Sequence, residues 1–254
     1  MLQKLKTLLK RNKIILYLYN LLLNFIYISP RDYFNFEKYS LFRKISPFTK
    51  VPYLRLSNTY ELSKLVEKKK IKGAFVECGA WKGGCSAIMA FIAEKAKSNR
   101  KIWLFDSFEG MPEATSIDGE EAKELSKNKF GGKIEPVGTN LAEIKDCEEI
   151  LFNRLKLNRD NIIIRKGWFQ HTLPKAKEEI GPIAILRIDA DWYESTKYCL
   201  ENLFDNVVSN GYVIIDDYNY YPGCNHAVDE FIKGKKIKLN KIGGGVGVFF
   251  KKLE

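Results

Sequence analysis

Two short stretches hold most of the residues in this chain that could do chemistry. One reads LRIDADWYEST over residues 186–196, the other GYVIIDDY over 211–218. Each is an apolar run that ends in paired carboxylates, Asp189 with Asp191 and Asp216 with Asp217. If these runs are neighbouring parallel strands, the carboxylates gather around one point and repel one another unless a cation or shared protons neutralise them. Hard divalent cations take oxygen ligands, so Mg²⁺ is the first expectation. Helix capping explains a single Asp of this kind readily, but not four on two strand ends.

A third stretch reads Glu77-Cys78-Gly79-Ala80-Trp81-Lys82-Gly83-Gly84. A dinucleotide fingerprint needs a second glycine two residues after the first, so that the backbone can approach a pyrophosphate. Trp81 stands there instead, and no G-K-[ST] phosphate loop is present. The spacing E-x-G-x-x-x-G suits a cofactor without phosphates, such as S-adenosylmethionine. Its ammonium would meet Glu77, and its carboxylate would meet N–H groups at a helix start. Asp106 ends the next apolar run, 23 residues after Gly83, near the offset of a ribose-binding carboxylate. Phe108 is placed to cover a sugar or methionine portion, and Gly167-Trp168-Phe169 to offer an aromatic edge to adenine.

These residues need elements to carry them. From Gly73 onward, apolar runs alternate with helix-like stretches, and the runs end at Gly79, Asp106, Gly167, Asp189 and Asp216. Such alternation predicts an α/β fold with a doubly wound, mostly parallel sheet. KIKLNKI and VGVFFKK, joined by glycines, predict a terminal antiparallel hairpin and bring the sheet to seven strands. Ligands in such sheets bind beyond the carboxyl ends of the strands, where the order reverses. A long polar stretch, 107–142, follows the second run, and a short helix is expected after Pro174.

The charge is uneven. Residues 1–72 carry 16 Lys/Arg against 4 Asp/Glu, whereas the other 182 carry 26 against 27. Basic residues are not spread around the carboxylates, which argues against nucleic acid as a partner. Lys4, Lys6, Lys10, Arg11 and Lys13 precede an apolar run of 15 residues over 14–28, shorter than the ~20 of a membrane span. An interfacial helix on anionic lipid through residues 1–30 and a helix packed on this or a second subunit are both open. Residues 30–60, rich in aromatics (Tyr33, Phe34, Phe36, Tyr39, Phe42), read as an irregular lid, followed by a helix from about Thr59. The expected division is a basic extension or lid over 1–58 and one catalytic domain over 59–254. Five cysteines without C-x-x-C spacing fit a reducing, cytoplasmic compartment.

Together, VECGAWKGG (76–84), LFDSFEGMP (104–112), GWFQHTLP (167–174) and the two carboxylate stretches resemble the macrocin O-methyltransferase family, a group of class I S-adenosylmethionine-dependent methyltransferases. The resemblance implies a Rossmann-like fold and methyl transfer to a hydroxyl, usually on a sugar of a glycosylated product, with Mg²⁺ at the site. It matches Asp189, Asp216 and Asp217 to metal ligands. It matches Glu77, Gly79, Gly83, Asp106, Ser107 and Trp168 to the cofactor pocket, with Cys78, Trp81, Ser86, Phe108 and Gly167 beside them. Asp191 and Asp189 both remain candidates for the catalytic base. The acceptor would be a small molecule or glycan. Two other readings stand: a metal-dependent glycosyltransferase using Asp189-Ala190-Asp191, and a non-catalytic membrane-associated binding protein.

Overall fold

The computed structural model describes Asp32 and residues 34–253. The apolar run 14–28 and Tyr33 lie outside the described residues. The chain enters through α1 (Phe36–Ile45) and α2 (Tyr53–Lys68), then alternates through β1 (Ala74–Cys78), α3 (Gly84–Lys95) and β2 (Ile102–Asp106). An insert over 107–142 carries the short α4 (Glu120–Leu125). After it come α5 (Ile144–Glu148), a π-helical turn over Glu149–Arg154, β3 (Ile162–Lys166), α6 (Phe169–Ile180) and β4 (Ile183–Ile188). The chain closes through α7 (Tyr193–Leu203), β5 (Val207–Ile215), α8 (Pro222–Ile232), β6 (Asn240–Lys241) and β7 (Val248–Lys251).

The seven strands lie in the order β3-β2-β1-β4-β5-β7-β6, with β7 antiparallel to its neighbours. The expected sheet and hairpin therefore form, and the strand order reverses between β1 and β4. Both of these central strands are buried along their whole length, as parallel strands covered by helices on both faces must be. Side chains alternate between two cores. Phe75, Leu104, Ile185 and Ile214 pack with the α1–α3 side, whereas Val76, Phe105, Leu186 and Val213 pack on the other. Glu77 and Arg187 are register partners on adjacent strands. Their parity puts them on the α1–α3 side, with Asp189 and Asp216 following on that face.

Three local expectations change. Residues 36–45 are not irregular: Asn35 caps α1 by accepting from the Lys38 N–H at 3.0 Å. The side chain of Lys38 is buried, bonded to Asp32, Ser57 and Glu61 at 2.7–3.0 Å. Phe42 packs edge-on to Tyr53 and Tyr60, because Leu41, Phe42 and Ile45 form the one apolar stripe of the helix. The next helix begins at Tyr53, behind Pro52, so Thr59 falls in its middle. Pro174 does not precede a helix but lies inside α6. A proline there cannot bond the carbonyl four residues back; the Tyr198 hydroxyl donates to that Gln170 oxygen at 3.4 Å. All five cysteines are buried and free. No helix among the described residues is long and apolar enough to cross a membrane.

Candidate active site

A cavity of ≈ 400 Å³ opens beyond the carboxyl ends of β1, β2, β4 and β5. Its floor is a charged network. Arg187, fully buried in β4, donates to Glu77 at 2.8 Å, to Asp189 at 2.9 Å and to Asp216 at 2.5 Å. Arg55 of α2 donates to the Asp216 carboxylate at 2.5 Å and to its carbonyl oxygen at 2.9 Å, and lies 3.7 Å from Asp217. Five carboxylates, with Asp191 the fifth, thus face two guanidiniums. Part of the cation demanded by the carboxylates is built into the chain, and part is not.

The titration of the group reflects that deficit. Burial, and then repulsion from its neighbours, pushes Asp217 well above the usual carboxylate range. Burial raises Asp216 to about 6 despite Arg187. Asp191 is raised by burial and by repulsion from Asp189 and Asp216. Asp189, Asp216 and Asp217 each offer one oxygen within 4.8 Å of the others. An all-oxygen donor set of this size with unbalanced negative charge fits a hard divalent cation such as Mg²⁺.

Asp191 has φ 56°, the left-handed region, and its N–H donates to Asp217 at 3.2 Å. A non-glycine residue holds that conformation only where its surroundings fix it. Here Trp192, two per cent exposed, anchors the turn through its indole N–H to the Pro112 carbonyl of the insert at 3.1 Å.

The glycine turn lies across the floor from these carboxylates. Gly79 has φ 89°, and a Cβ there would run into the Asp189 carbonyl oxygen, so β1 and β4 can close up only with glycine. The Asp106 oxygens accept from the Trp81 N–H at 2.8 Å and the Phe108 N–H at 2.7 Å. Each of these oxygens keeps a second lone pair that can accept from a ligand hydroxyl. The indole N–H of Trp81 donates to the Leu141 carbonyl at 3.0 Å. Lys50 lies over the Trp81 ring at 4.8 Å and bonds Asn140 at 2.6 Å, joining the strap 46–52 to the insert.

Glu77, Gly79, Trp81, Asp106, Ser107 and Trp168 line the cavity, as do all four aspartates. Cys78, Gly83, Ser86, Phe108 and Gly167 do not. Cys78 has the opposite parity to Glu77 and joins the other core. Gly83 abuts Cys147, and Gly167 abuts Thr172. Phe108 packs into the α3 side rather than over a ligand. Ser86 is turned inward to donate to Glu77. Glu77 in turn has one oxygen on Arg187 and the other on Ser86, which makes it an anchor of the guanidinium before it is a partner for an ammonium. Burial pushes it up to about 7 against the pull of Arg187.

The aromatic lid is also displaced: Phe34, Phe36 and Tyr39 face solvent, while Tyr220 and Tyr221 line the cavity. His171 and His226 are exposed and off the cavity wall. The residues that sequence reasoning missed are Arg55, Lys50 and the insert residue Asp118. Arg55 gives no local signal, since its partners lie more than 160 positions away; for Asp118, the only hint was an acidic residue in a polar stretch.

A family model described as macrocin-O-methyltransferase matches residues 45–252. The chain is 34% identical over 206 residues to the 8-demethyl-8-(2,3-dimethoxy-alpha-L-rhamnosyl)-tetracenomycin-C 4'-O-methyltransferase of Streptomyces olivaceus, spanning 80% of this chain and 75% of that one. It is 34% identical over 178 residues to the demethyldecarbamoylnovobiocin O-methyltransferase of Streptomyces niveus, spanning 70% and 64%. Among solved structures, the O-methyltransferase NovP superposes with a TM-score of 0.68 at 31% identity, over 82% of this chain and 83% of that one.

Proposed function

Because the chain belongs to the macrocin O-methyltransferase family, we propose that it moves a methyl group from S-adenosylmethionine to a sugar hydroxyl of a glycan or glycosylated metabolite, with Mg²⁺ held by Asp189, Asp216 and Asp217. The observation that carries this reading is the three-carboxylate cluster at the reversal of strand order, facing a glycine turn that Trp81 closes to a pyrophosphate. The relatives' names support the acceptor class: one acts on a rhamnosyl-tetracenomycin and another on demethyldecarbamoylnovobiocin. The glycosyltransferase reading explains neither Asp216-Asp217 nor the glycine turn. Family membership leaves the binding-module reading without support.

On this reading, the Asp106 oxygens accept from the ribose hydroxyls, and Trp168 borders the adenine. Bound Mg²⁺ would supply the charge that lowers the pKa of a sugar hydroxyl. Asp191 or Asp189 then takes the hydroxyl proton as the methyl arrives. Asp191 is the better placed: Asp189 is held by Arg187, whereas Asp191 is kept basic by burial and by its carboxylate neighbours. Trp192, bonded to the insert, holds the turn that carries it. Positioning of this kind is worth roughly 7–11 kcal/mol of barrier.

The test is a thermal-shift panel. S-adenosylmethionine at about 100 times its Kd should stabilise the protein by about 2.7 kcal/mol, and a UDP-sugar should leave it unmoved. Stabilisation by the UDP-sugar alone would overturn the reading.

We further assign the N-terminal part to the anionic inner face of a membrane, in a reducing compartment. Support comes from the basic run 4–13 and the apolar run 14–28, and from Phe36, Tyr39 and Arg43, spaced to share one side of α1 and all exposed.

A further inference from the structure

Asp118 lies in the insert, 1% exposed, with no cationic partner among the described residues. One oxygen accepts from the N–H and hydroxyl of Thr115, at 2.7 and 2.8 Å. The other accepts from the Tyr193 N–H at 2.7 Å. Tyr193 is the first residue of α7, and Trp192 before it supplies no side-chain cap. The same oxygen sits against Gly223, in the first turn of α8: a Cβ there would run into it. That helix also lacks a side-chain cap of its own, since Tyr221 precedes Pro222. Gly119 beside Asp118 packs in turn against the Pro222 ring. A buried carboxylate is thus set where two uncapped helix starts meet, and a negative charge there is favoured by both.

These two helices follow the two carboxylate turns. The α7 start is two residues past Asp191, and the α8 start is five past Asp217. We propose that Asp118 is a positioning residue: it caps α7 directly and braces α8, so that the carboxylate turns hold their shape only while the insert is closed on them. Asp191, in its left-handed conformation, is the residue most dependent on that hold. The inference rests on the proposed function for its catalytic meaning, but not for its geometry.

Amide hydrogen exchange on the full chain tests it without any ligand. In Asp118→Ala, peptides covering 189–197 and 218–227 should exchange about 3- to 30-fold faster, the factor that one lost cap is worth. Peptides covering β1 and α3 should be unchanged. Gly223→Ala should reproduce the effect from the other side by displacing the carboxylate. In an Asp118→Ala background the same change should add much less than it does alone, because the carboxylate it collides with is gone and only the Tyr193 N, 3.0 Å from the new Cβ, still crowds it. S-adenosylmethionine affinity should stay within about twofold throughout, since Asp118 contacts Thr115, Tyr193 and Gly223, none of them expected to hold the cofactor; failure to bind the cofactor in the wild type would count against the function and leave the exchange result standing. Acceleration confined to residues 112–126, or full additivity of the two changes, would overturn the proposal.

Discussion

Arg187 sits in a strand whose other residues are all aliphatic, and it makes the carboxylate cluster tolerable. Removing one member of a buried, hydrogen-bonded ion group strands the others, whereas in water the same loss is minor. The motif made the four aspartates legible, because paired carboxylates after apolar runs are local in sequence. The counter-charges were not legible in the same way. Arg187, a cation inside an apolar run, calls for a carboxylate partner without specifying which, and Arg55 lies on a helix that no feature of the sequence brings near. Two predictions belong at this scale. Asp191→Asn should keep cofactor binding and lose about 10²–10⁴ in turnover, measured as methyl incorporation into glycans from a deletion strain; near-normal rates would remove Asp191 as the base. Glu77, raised from 4.5 to about 7, takes up its proton more readily folded than unfolded. Its contribution to stability therefore falls as pH rises between those values and is flat above them. Melting temperatures of Glu77→Gln between about pH 5 and pH 8 should decline less with pH than those of the wild type. Superimposable profiles would refute the shift.

At the scale of elements, the strand ends were readable because apolar runs that stop at Gly or Asp mark where a parallel sheet delivers its ligands. Which residues of the glycine turn face the cavity depends on strand parity, which the motif alone did not supply: Cys78, expected beside the pocket, is the neighbour of Glu77 in sequence and opposite to it in direction. The turn itself is tight. In Gly79→Ala the added methyl meets both the Asp189 carbonyl and a φ that only glycine adopts freely. The expected cost is about 1–3 kcal/mol in urea unfolding, together with loss of S-adenosylmethionine binding by calorimetry. Wild-type affinity in that variant would show that the β1–β4 junction has slack. The insert 107–142 stayed opaque for a different reason. Its buried apolar residues, Met111, Ala114, Ala122 and Val137, follow no helix or strand period, and its contacts to the site run through one polar side chain and two backbone carbonyls, Asp118, Pro112 and Leu141. Likewise, α1 was hidden under an excess of aromatics, of which only Phe42 turned out to face the core.

Across the whole molecule, the charge divides just before β1: residues 73–254 are nearly neutral and the positive excess lies before them. Phe34, Phe36 and Tyr39, 83%, 78% and 59% exposed, lie next to that excess. A membrane surface rewards both, at about 1 kcal/mol per Lys or Arg near anionic headgroups. The full chain should cosediment with phosphatidylglycerol-containing vesicles at low salt, release at about 0.5 M salt where the Debye length is only a few ångströms, and ignore neutral vesicles. No binding to anionic vesicles would return the stripe to a protein partner. The five cysteines belong to this scale as well. Each is buried, and burial raises the thiols of Cys85, Cys147, Cys199 and Cys224. An alkylating reagent needs thiolate and access; the native chain withholds access at all five and disfavours thiolate at these four. The cysteines are therefore silent reporters spread through both cores: what they record is the fraction of time the chain spends open, with no foreign probe attached.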